Sequence, residues 1–313
     1  MNKPKDEPGL QTILSHCGRN LEASGGYVNV PPYEGSTILH DDMEDLFGRV
    51  DNHLYGDGTA QTYGTDGGPT HEAFYEAMNK LEGGAGTWAF STGLAGCTIP
   101  MMAFLKTGDH MLVTDSVYGP TRQFCEVLLK NFGVEAEFYE PTIGAGIEKL
   151  IRPNTRLIYM ESPGTHTFEM QDVPAIAAVA RKYNIVTMID NTYATPLNFQ
   201  PLKHGVDVVV HSATKYICGH SDVLMSTVTC NEKTWKQVRD VCKMTGQYAS
   251  AQSVYLGLRG LRTLKVRLDA VGVHTRKVVD WLLKREEVKK VIWPAYEKDP
   301  GYRIYKRDYS GPI

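Results

Sequence analysis

The chain has 313 residues, of which 42% are apolar and 22% charged, and a formal charge of −3. This is globular composition with room for about two domains, and it excludes disordered, collagen-like and coiled-coil chains. The slight acidity offers nothing to nucleic acid or an anionic membrane surface, and no apolar run reaches the roughly 18 residues of a spanning helix.

The opening Met1-Asn2-Lys3-Pro4-Lys5-Asp6-Glu7-Pro8 is polar and does not read as a secretory signal. Residues 1–62 carry Gly25-Gly26, Pro31-Pro32, Gly35 and Gly56-Asp57-Gly58 without sustained periodicity, which predicts an extended, loop-rich arm. After Pro69 the pattern changes. Phe74, Met78 and Leu81 fall near helical spacing over 71–81, and Gly83-Gly84 stops the run. Short apolar runs then alternate with helical patterns. Strands are predicted at 87–90, 111–113, 157–160, 186–189 and 206–210, and helices at 94–105, 122–132 and 173–183. Such alternation predicts βαβ units around a parallel sheet, and the near-continuous apolar strands predict that both faces are covered. Further on, the pattern predicts a helix over 235–244 and a long helix over 251–284 interrupted at Gly257, Gly260 and Gly272. A strand over 288–292 would then open a second domain.

The six cysteines, Cys17, Cys97, Cys125, Cys218, Cys230 and Cys242, form no CxxC and no zinc spacing. They read as reduced core thiols of a cytoplasmic protein. His211 and His220 flank Lys215 with no carboxylate or thiol at ligand spacing, so no metal is expected.

Ligands of open α/β sheets bind outside the carboxyl ends of the strands. Ser91-Thr92-Gly93-Leu94 follows the first strand as either an anion-binding helix start or an ordinary capped turn. No GxGxxG or GxxxxGK[ST] is present. Tyr118 follows the second strand, as a ring-stacking residue or a half-buried surface aromatic. Glu161-Ser162-Pro163-Gly164 follows the third. Asp190-Asn191-Thr192 follows the fourth, with Asp190 either a partner for a protonated ring nitrogen or a cap. His211-Ser212-Ala213-Thr214-Lys215 follows the fifth. A Lys shielded from water there is an amine nucleophile, and a solvated one is ordinary. Lysine amine, carboxylate and phosphate-binding turn together are the protein side of a pyridoxal phosphate site. Ser212-Ala213-Thr214-Lys215 also matches the SxxK acylation signature. It lacks SDN and KTG partners, however, and Ser212 ends a strand where that motif opens a helix.

These residues carry a resemblance. His211-Ser212-Ala213-Thr214-Lys215-Tyr216-Ile217-Cys218-Gly219-His220-Ser221-Asp222 resembles the lysine motif of the Cys/Met-metabolism (trans-sulfuration) family of pyridoxal phosphate enzymes. Leu81-Glu82-Gly83-Gly84, Phe90-Ser91-Thr92-Gly93-Leu94-Ala95, Gly108-Asp109-His110, Ile189-Asp190-Asn191-Thr192 and Leu258-Arg259-Gly260-Leu261-Arg262-Thr263-Leu264 match the family in order. Glu161-Ser162-Pro163-Gly164-Thr165, Tyr63-Gly64, Asp172-Val173-Pro174-Ala175-Ile176 and Leu264-Lys265-Val266-Arg267-Leu268 resemble its cystathionine β-lyase branch.

The resemblance implies a fold-type I, aspartate-aminotransferase-like α/β fold with a mostly parallel, seven-stranded-type sheet flanked by helices. It implies an N-terminal arm over 1–62, a pyridoxal 5'-phosphate domain over 63–262, and a linking helix with the start of a truncated C-terminal domain over 263–313. By the same resemblance, Lys215 carries the cofactor and shuttles protons, Asp190 pairs with the ring nitrogen, and Tyr118 stacks on the ring. The amides of Gly93 and Leu94 and the hydroxyls of Ser212 and Thr214 hold the phosphate. Tyr63 reaches a neighbouring subunit's site in a homotetramer built as a dimer of dimers. The implied reaction is β-elimination of a small sulfur amino acid, with cystathionine giving homocysteine, pyruvate and ammonia in methionine biosynthesis. The alternatives are a γ-lyase or γ-synthase on the same fold, or a catalytically impaired truncated member.

Two departures stand out. Two residues after Tyr63 the family usually places an Arg that clamps the partner's cofactor phosphate, and here Thr65 and Asp66 follow. One charge-assisted hydrogen bond is lost, about 1.5–3 kcal/mol, and weaker cofactor retention is expected. The family's C-terminal domain also supplies an Arg for the substrate carboxylate. Its absence before Ile313 reads as a fragment or as a chain that binds cofactor and catalyses poorly.

Overall fold

The computed structural model describes residues 8–56 and 58–312. Seven strands, β1 (Gly86–Phe90), β2 (His110–Thr114), β3 (Glu135–Tyr139), β4 (Thr155–Glu161), β5 (Val186–Asp190), β6 (Val208–His211) and β7 (Ser226–Cys230), form one sheet in the order β1-β7-β6-β5-β4-β2-β3. The pairs β2/β3, β2/β4, β4/β5 and β5/β6 are parallel. Only β7, inserted between β1 and β6, runs antiparallel to its neighbours.

Strands β1, β2, β6 and β7 are buried at every residue, as apolar strands covered on both faces must be. Two side-chain clusters pack the two faces. One joins Trp88, Phe90, Met101, Val113 and Tyr159, and the other Leu112, Ile158, Ile176, Ile189 and Val209. Adjacent residues of each strand thus go to opposite faces, the two-residue period of a pleated strand.

The helices are α1 (Leu10–His16), α2 (Met43–Tyr55), α3 (Pro69–Glu82), α4 (Gly93–Thr98), α5 (Gly119–Gln123), α6 (Val173–Lys182), α7 (Thr195–Asn198), α8 (Glu232–Met244), α9 (Ala251–Leu261), α10 (Leu264–Leu282) and α11 (Tyr302–Asp308). α3 has Pro at its first position and ends on the left-handed Gly83, the start and stop its sequence announces. α6 is capped by the Asp172 carboxylate on the Ala175 amide at 3.2 Å.

The structure departs from the sequence expectations in several places. The arm over 1–62 holds α1 and α2, and α2 is capped by Asp42 on the Asp45 amide at 2.8 Å. The helix expected over 94–105 is α4 followed by a 3-10 segment, Ile99–Ala103, where Pro100 removes an N–H. The one over 122–132 begins as α5 and widens into a π-helical stretch at Phe124–Leu129. The helix expected over 251–284 breaks at Arg262-Thr263, not at any of its three glycines. Arg262 turns back to donate to the Leu14 carbonyl at 2.6 Å and the Cys17 carbonyl at 2.7 Å.

The segment 288–292 is not a strand. The Val288 N–H closes a turn on the Arg285 carbonyl, and no strand lies beside it among the described residues. Two strands have weak apolar patterns. β3 carries Glu135 and Glu137 at a sheet edge, with Arg152 bridging both. β7 is rich in hydroxyls, and burial is offset there by partners such as the Ser226 hydroxyl on the Thr92 carbonyl at 2.7 Å. All six cysteines are buried and free.

Candidate active site

The carboxyl ends of β1, β2, β4, β5 and β6 deliver their polar residues to one edge. Glu161 and Asp190 end adjacent parallel strands and stand in register. Asp190 also pairs in register with Val210, one residue before the end of β6, so the lysine turn begins beside it.

Asp190 is buried (8% exposed) and fixed at both oxygens. Oδ1 accepts the Thr192 N–H at 2.9 Å, and Oδ2 lies 3.6 Å from the Cys97 thiol, which donates to it. Burial, then the Asp190 charge, pushes the Cys97 thiol well up, so it stays protonated and a donor. Cys97 lies one helical turn after Gly93 on α4, and that spacing turns it inward toward Asp190.

Glu161 is buried (4% exposed). It accepts the Tyr118 backbone N–H at Oε2 (2.8 Å) and the Thr165 hydroxyl at Oε1. Burial first, and the neighbouring Asp190 second, raise its carboxyl to about 8. It therefore holds its proton at neutral pH beside an acid that accepts two donors.

The lysine turn is built from hydrogen bonds within itself and to the strands on either side. The Ser212 N–H donates to Thr192 Oγ1 at 2.8 Å, which ties the turn to the segment after β5. The Lys215 N–H donates to the Ser212 carbonyl at 3.0 Å, and Gly219 returns to the Lys215 carbonyl at 2.8 Å. The Thr214 hydroxyl donates to the Met225 carbonyl and accepts the Met225 N–H, so it staples the two ends of the β6–β7 connection. From α10, Arg267 donates to the Tyr216 carbonyl at 2.6 Å. Below the turn, His211 is bonded to Glu82, both fully buried. The Lys215 side chain itself is exposed, the solvated of the two alternatives left open by the sequence, because the turn lies beyond the end of β6 rather than under it.

Gly93 opens α4, with the Thr92 hydroxyl capping the Ala95 amide at 3.2 Å. A methyl on Gly93 would come 2.7 Å from Ser212 Oγ. Only glycine leaves this cradle open between the first amides of α4 and the Ser212 hydroxyl. Leu94 is partly exposed beside it. Tyr118 is 43% exposed, and its backbone amide is the one on Glu161.

Tyr63 is half exposed and forms one antiparallel bridge with Thr37. No hydrogen bond joins it to the other site residues among those described. Asp66 is turned back into its own turn. Its carboxylate accepts from Thr62 N at 2.7 Å and Tyr63 N at 3.1 Å, and lies 3.4 Å from His53. Thr65 is exposed.

The structure links Gly93, Ser212, Thr192 and Asp190 in succession, and Lys215 lies three residues further along the turn that Ser212 opens. Sequence reasoning did not assign Cys97, Thr192 or Glu161 a place. Glu161 was visible only as the first letter of the Glu161-Ser162-Pro163 phrase. Cys97 gave no signal beyond its helical spacing from Gly93.

An exposed amine, a carboxylate suited to a protonated ring nitrogen, and an open amide-and-hydroxyl cradle fit pyridoxal phosphate. Sheet and site define a fold-type I, pyridoxal-phosphate-dependent enzyme. A cystathionine gamma-lyase from Lactobacillus plantarum, crystallised with L-serine, superposes with a TM-score of 0.89 at 29% identity over 97% of this chain and 77% of that one. A family model, Cys/Met metabolism PLP-dependent enzyme, matches residues 11–313, and the chain belongs to that family. A protein of Rhizobium johnstonii is 44% identical over 303 residues, 97% of this chain and 74% of its own length. Cystathionine beta-lyase MetC of Escherichia coli is 38% identical over 304 residues, 96% of this chain and 76% of its own. No helix among the described residues is long and apolar enough to cross a membrane.

Proposed function

We propose that this protein is a carbon–sulfur β-lyase that cleaves cystathionine, or a related cysteine conjugate, to a thiol, pyruvate and ammonia. The observation that carries this reading is that the turn bearing Lys215 begins beside Asp190, whose register partner is Val210, in a chain 38% identical to a cystathionine beta-lyase.

When bound, pyridoxal phosphate supplies an aldehyde for a covalent link and a ring that withdraws electrons from the substrate's α-carbon. Lys215 is the amine for that link. Once displaced by substrate, its free amine takes the Cα proton and returns a proton to the departing sulfur. Asp190, pinned by Thr192 and Cys97, would pair with the ring nitrogen and favour its protonated form. Tyr118 would supply a face for the ring to stack on. The Gly93 and Leu94 amides and the Ser212 hydroxyl hold the phosphate. The Thr214 hydroxyl has no proton left for the phosphate, because its one proton goes to the Met225 carbonyl.

In the same reading, residues 63–262 form the cofactor domain, and residues 263–313 lead toward a further domain. The protein is cytoplasmic, in keeping with six free thiols. It is a homo-oligomer, a dimer of dimers, in which Tyr63 enters the neighbour's site. The apolar face of α2 supports this: Met43, Phe47 and Leu54 share one side of a helix with no buried residue.

The test is direct. Protein loaded with pyridoxal phosphate should be yellow, and borohydride should fix the label on Lys215. Cystathionine should yield pyruvate, and Lys215→Ala should abolish product. A second reading, γ-elimination, draws on the likeness to the Lactobacillus plantarum enzyme and predicts 2-oxobutyrate instead. Protein that takes up no cofactor would overturn both.

A further inference from the structure

The Glu161 side chain bonds to two segments of the site, and its strand position pairs with a third. Its Oε2 accepts the backbone N–H of Tyr118, at the turn between β2 and α5. Its Oε1 accepts the hydroxyl of Thr165, in the loop leaving β4. Its own strand position is opposite Asp190. The Thr165 N–H in turn donates to the Ser116 carbonyl at 2.9 Å, so the β4 exit loop and the Tyr118 turn are tied a second time. Tyr118 has a largely exposed ring, and its backbone N–H is spent on Glu161. An exposed aromatic can serve as a ring platform only if its backbone is held, because side-chain packing does not fix it.

The cost of this arrangement is visible. A second carboxyl is buried against Asp190, which requires Glu161 to stay protonated at neutral pH. The groups facing Glu161 are Asp190 on β5, Cys97 on α4, Tyr159 on β4, Tyr193 after β5, and the Tyr118 and Thr165 donors.

We propose that Glu161 is a positioning residue for the cofactor. Its carboxyl sets the Tyr118 turn and the Thr165 loop at fixed places relative to Asp190, so that ring platform and ring-nitrogen partner are held by one side chain. The proposal rests on the reading of Tyr118 and Asp190 as cofactor contacts.

A double-mutant cycle on the full chain tests it, with the dissociation constant for pyridoxal phosphate read by tryptophan fluorescence of apoprotein. Glu161→Met keeps the length and removes both acceptors, and should weaken binding tenfold or more. Glu161→Gln can offer its carbonyl to Tyr118 N–H and its NH2 to the Thr165 oxygen, and should restore binding to within threefold of wild type. In a Tyr118→Ala background the loss from Glu161→Met should shrink to threefold or less, because the residue acts through Tyr118. Losses that multiply across the cycle, or an unaltered affinity in Glu161→Met, overturn the proposal. If Glu161→Met does not fold, Thr165→Val at its half-buried loop position takes its place, with about threefold weakening expected in wild type and none in Tyr118→Ala. An equal loss in both backgrounds overturns the proposal in the same way. Wild-type protein that does not bind pyridoxal phosphate at all overturns the cofactor reading itself, and the positioning role with it. Wild-type binding with an additive cycle sinks the positioning role alone.

Discussion

Asp190 and Glu161 are carboxyls that end neighbouring strands in register. Each accepts two donors, and at Glu161 burial, then the Asp190 charge, outweighs the Tyr118 and Thr165 donors and raises the carboxyl. The linkage follows. The folded state keeps the Glu161 proton up to about 8, against an ordinary value of 4.5, so between those values the unfolded chain binds fewer protons. This contribution to stability is present in full at low pH, is lost as pH rises from 4.5 to 8, and is flat above, with a span of up to about 5 kcal/mol. Glu161→Gln removes the titration. Urea unfolding of apoprotein should show the variant gaining on wild type as pH climbs through that window, and parallel profiles would refute the linkage. At Thr65 the missing cation gives a second prediction. Thr65→Arg should tighten pyridoxal phosphate binding about tenfold, the worth of one charge-assisted hydrogen bond. Equilibrium dialysis measures it. Asp66, already engaged by Thr62 and Tyr63, should not oppose the gain.

At the scale of elements, the lysine turn is held from outside by α9 and α10. The α-carbon of Gly260 lies against the carbonyls of Ile217 and Cys218, so a methyl there meets backbone that cannot yield easily. Gly260→Ala should lower stability by about 1–3 kcal/mol and loosen cofactor binding together. Thermal melts of apo and loaded protein would show both. These contacts also explain what the sequence made legible. Apolar runs and the polar residues after them marked β1, β2, β4, β5 and β6 and the edge that holds Asp190 and the turn after β6, because burial dictates apolar strands and chemistry dictates their ends. β7 and β3 were hidden, because hydroxyl partners and edge ion pairs let polar residues fill strands. The break at Arg262-Thr263 was hidden too. Its cause is Arg262 reaching back to the carbonyls of Leu14 and Cys17, a contact that no local spacing encodes.

At the scale of the whole molecule, α2 presents Met43, Phe47 and Leu54 outward with nothing of this chain against them among the described residues. The oligomer reading makes this face an interface. Phe47→Glu with Leu54→Glu should shift the protein to a smaller species in size-exclusion chromatography, and an unchanged elution volume would separate α2 from assembly. Lys215 need not be shielded within one chain if a neighbour completes the site. Reading a single sequence, which sees one copy, left the shielded and solvated alternatives open.

The reversed strand β7 also governs how the chain is made. β1 pairs only with β7, residue by residue from Gly86 with Cys230 to Phe90 with Ser226. On the ribosome, β1 therefore emerges early and waits without a strand partner while all the intervening strands are synthesised. Five residues destined for burial lack their strand partner for that interval. Long-range closure of this kind slows folding and exposes sticky backbone. A nascent chain stalled before Cys230 should therefore be held by chaperones, and one released after it should not.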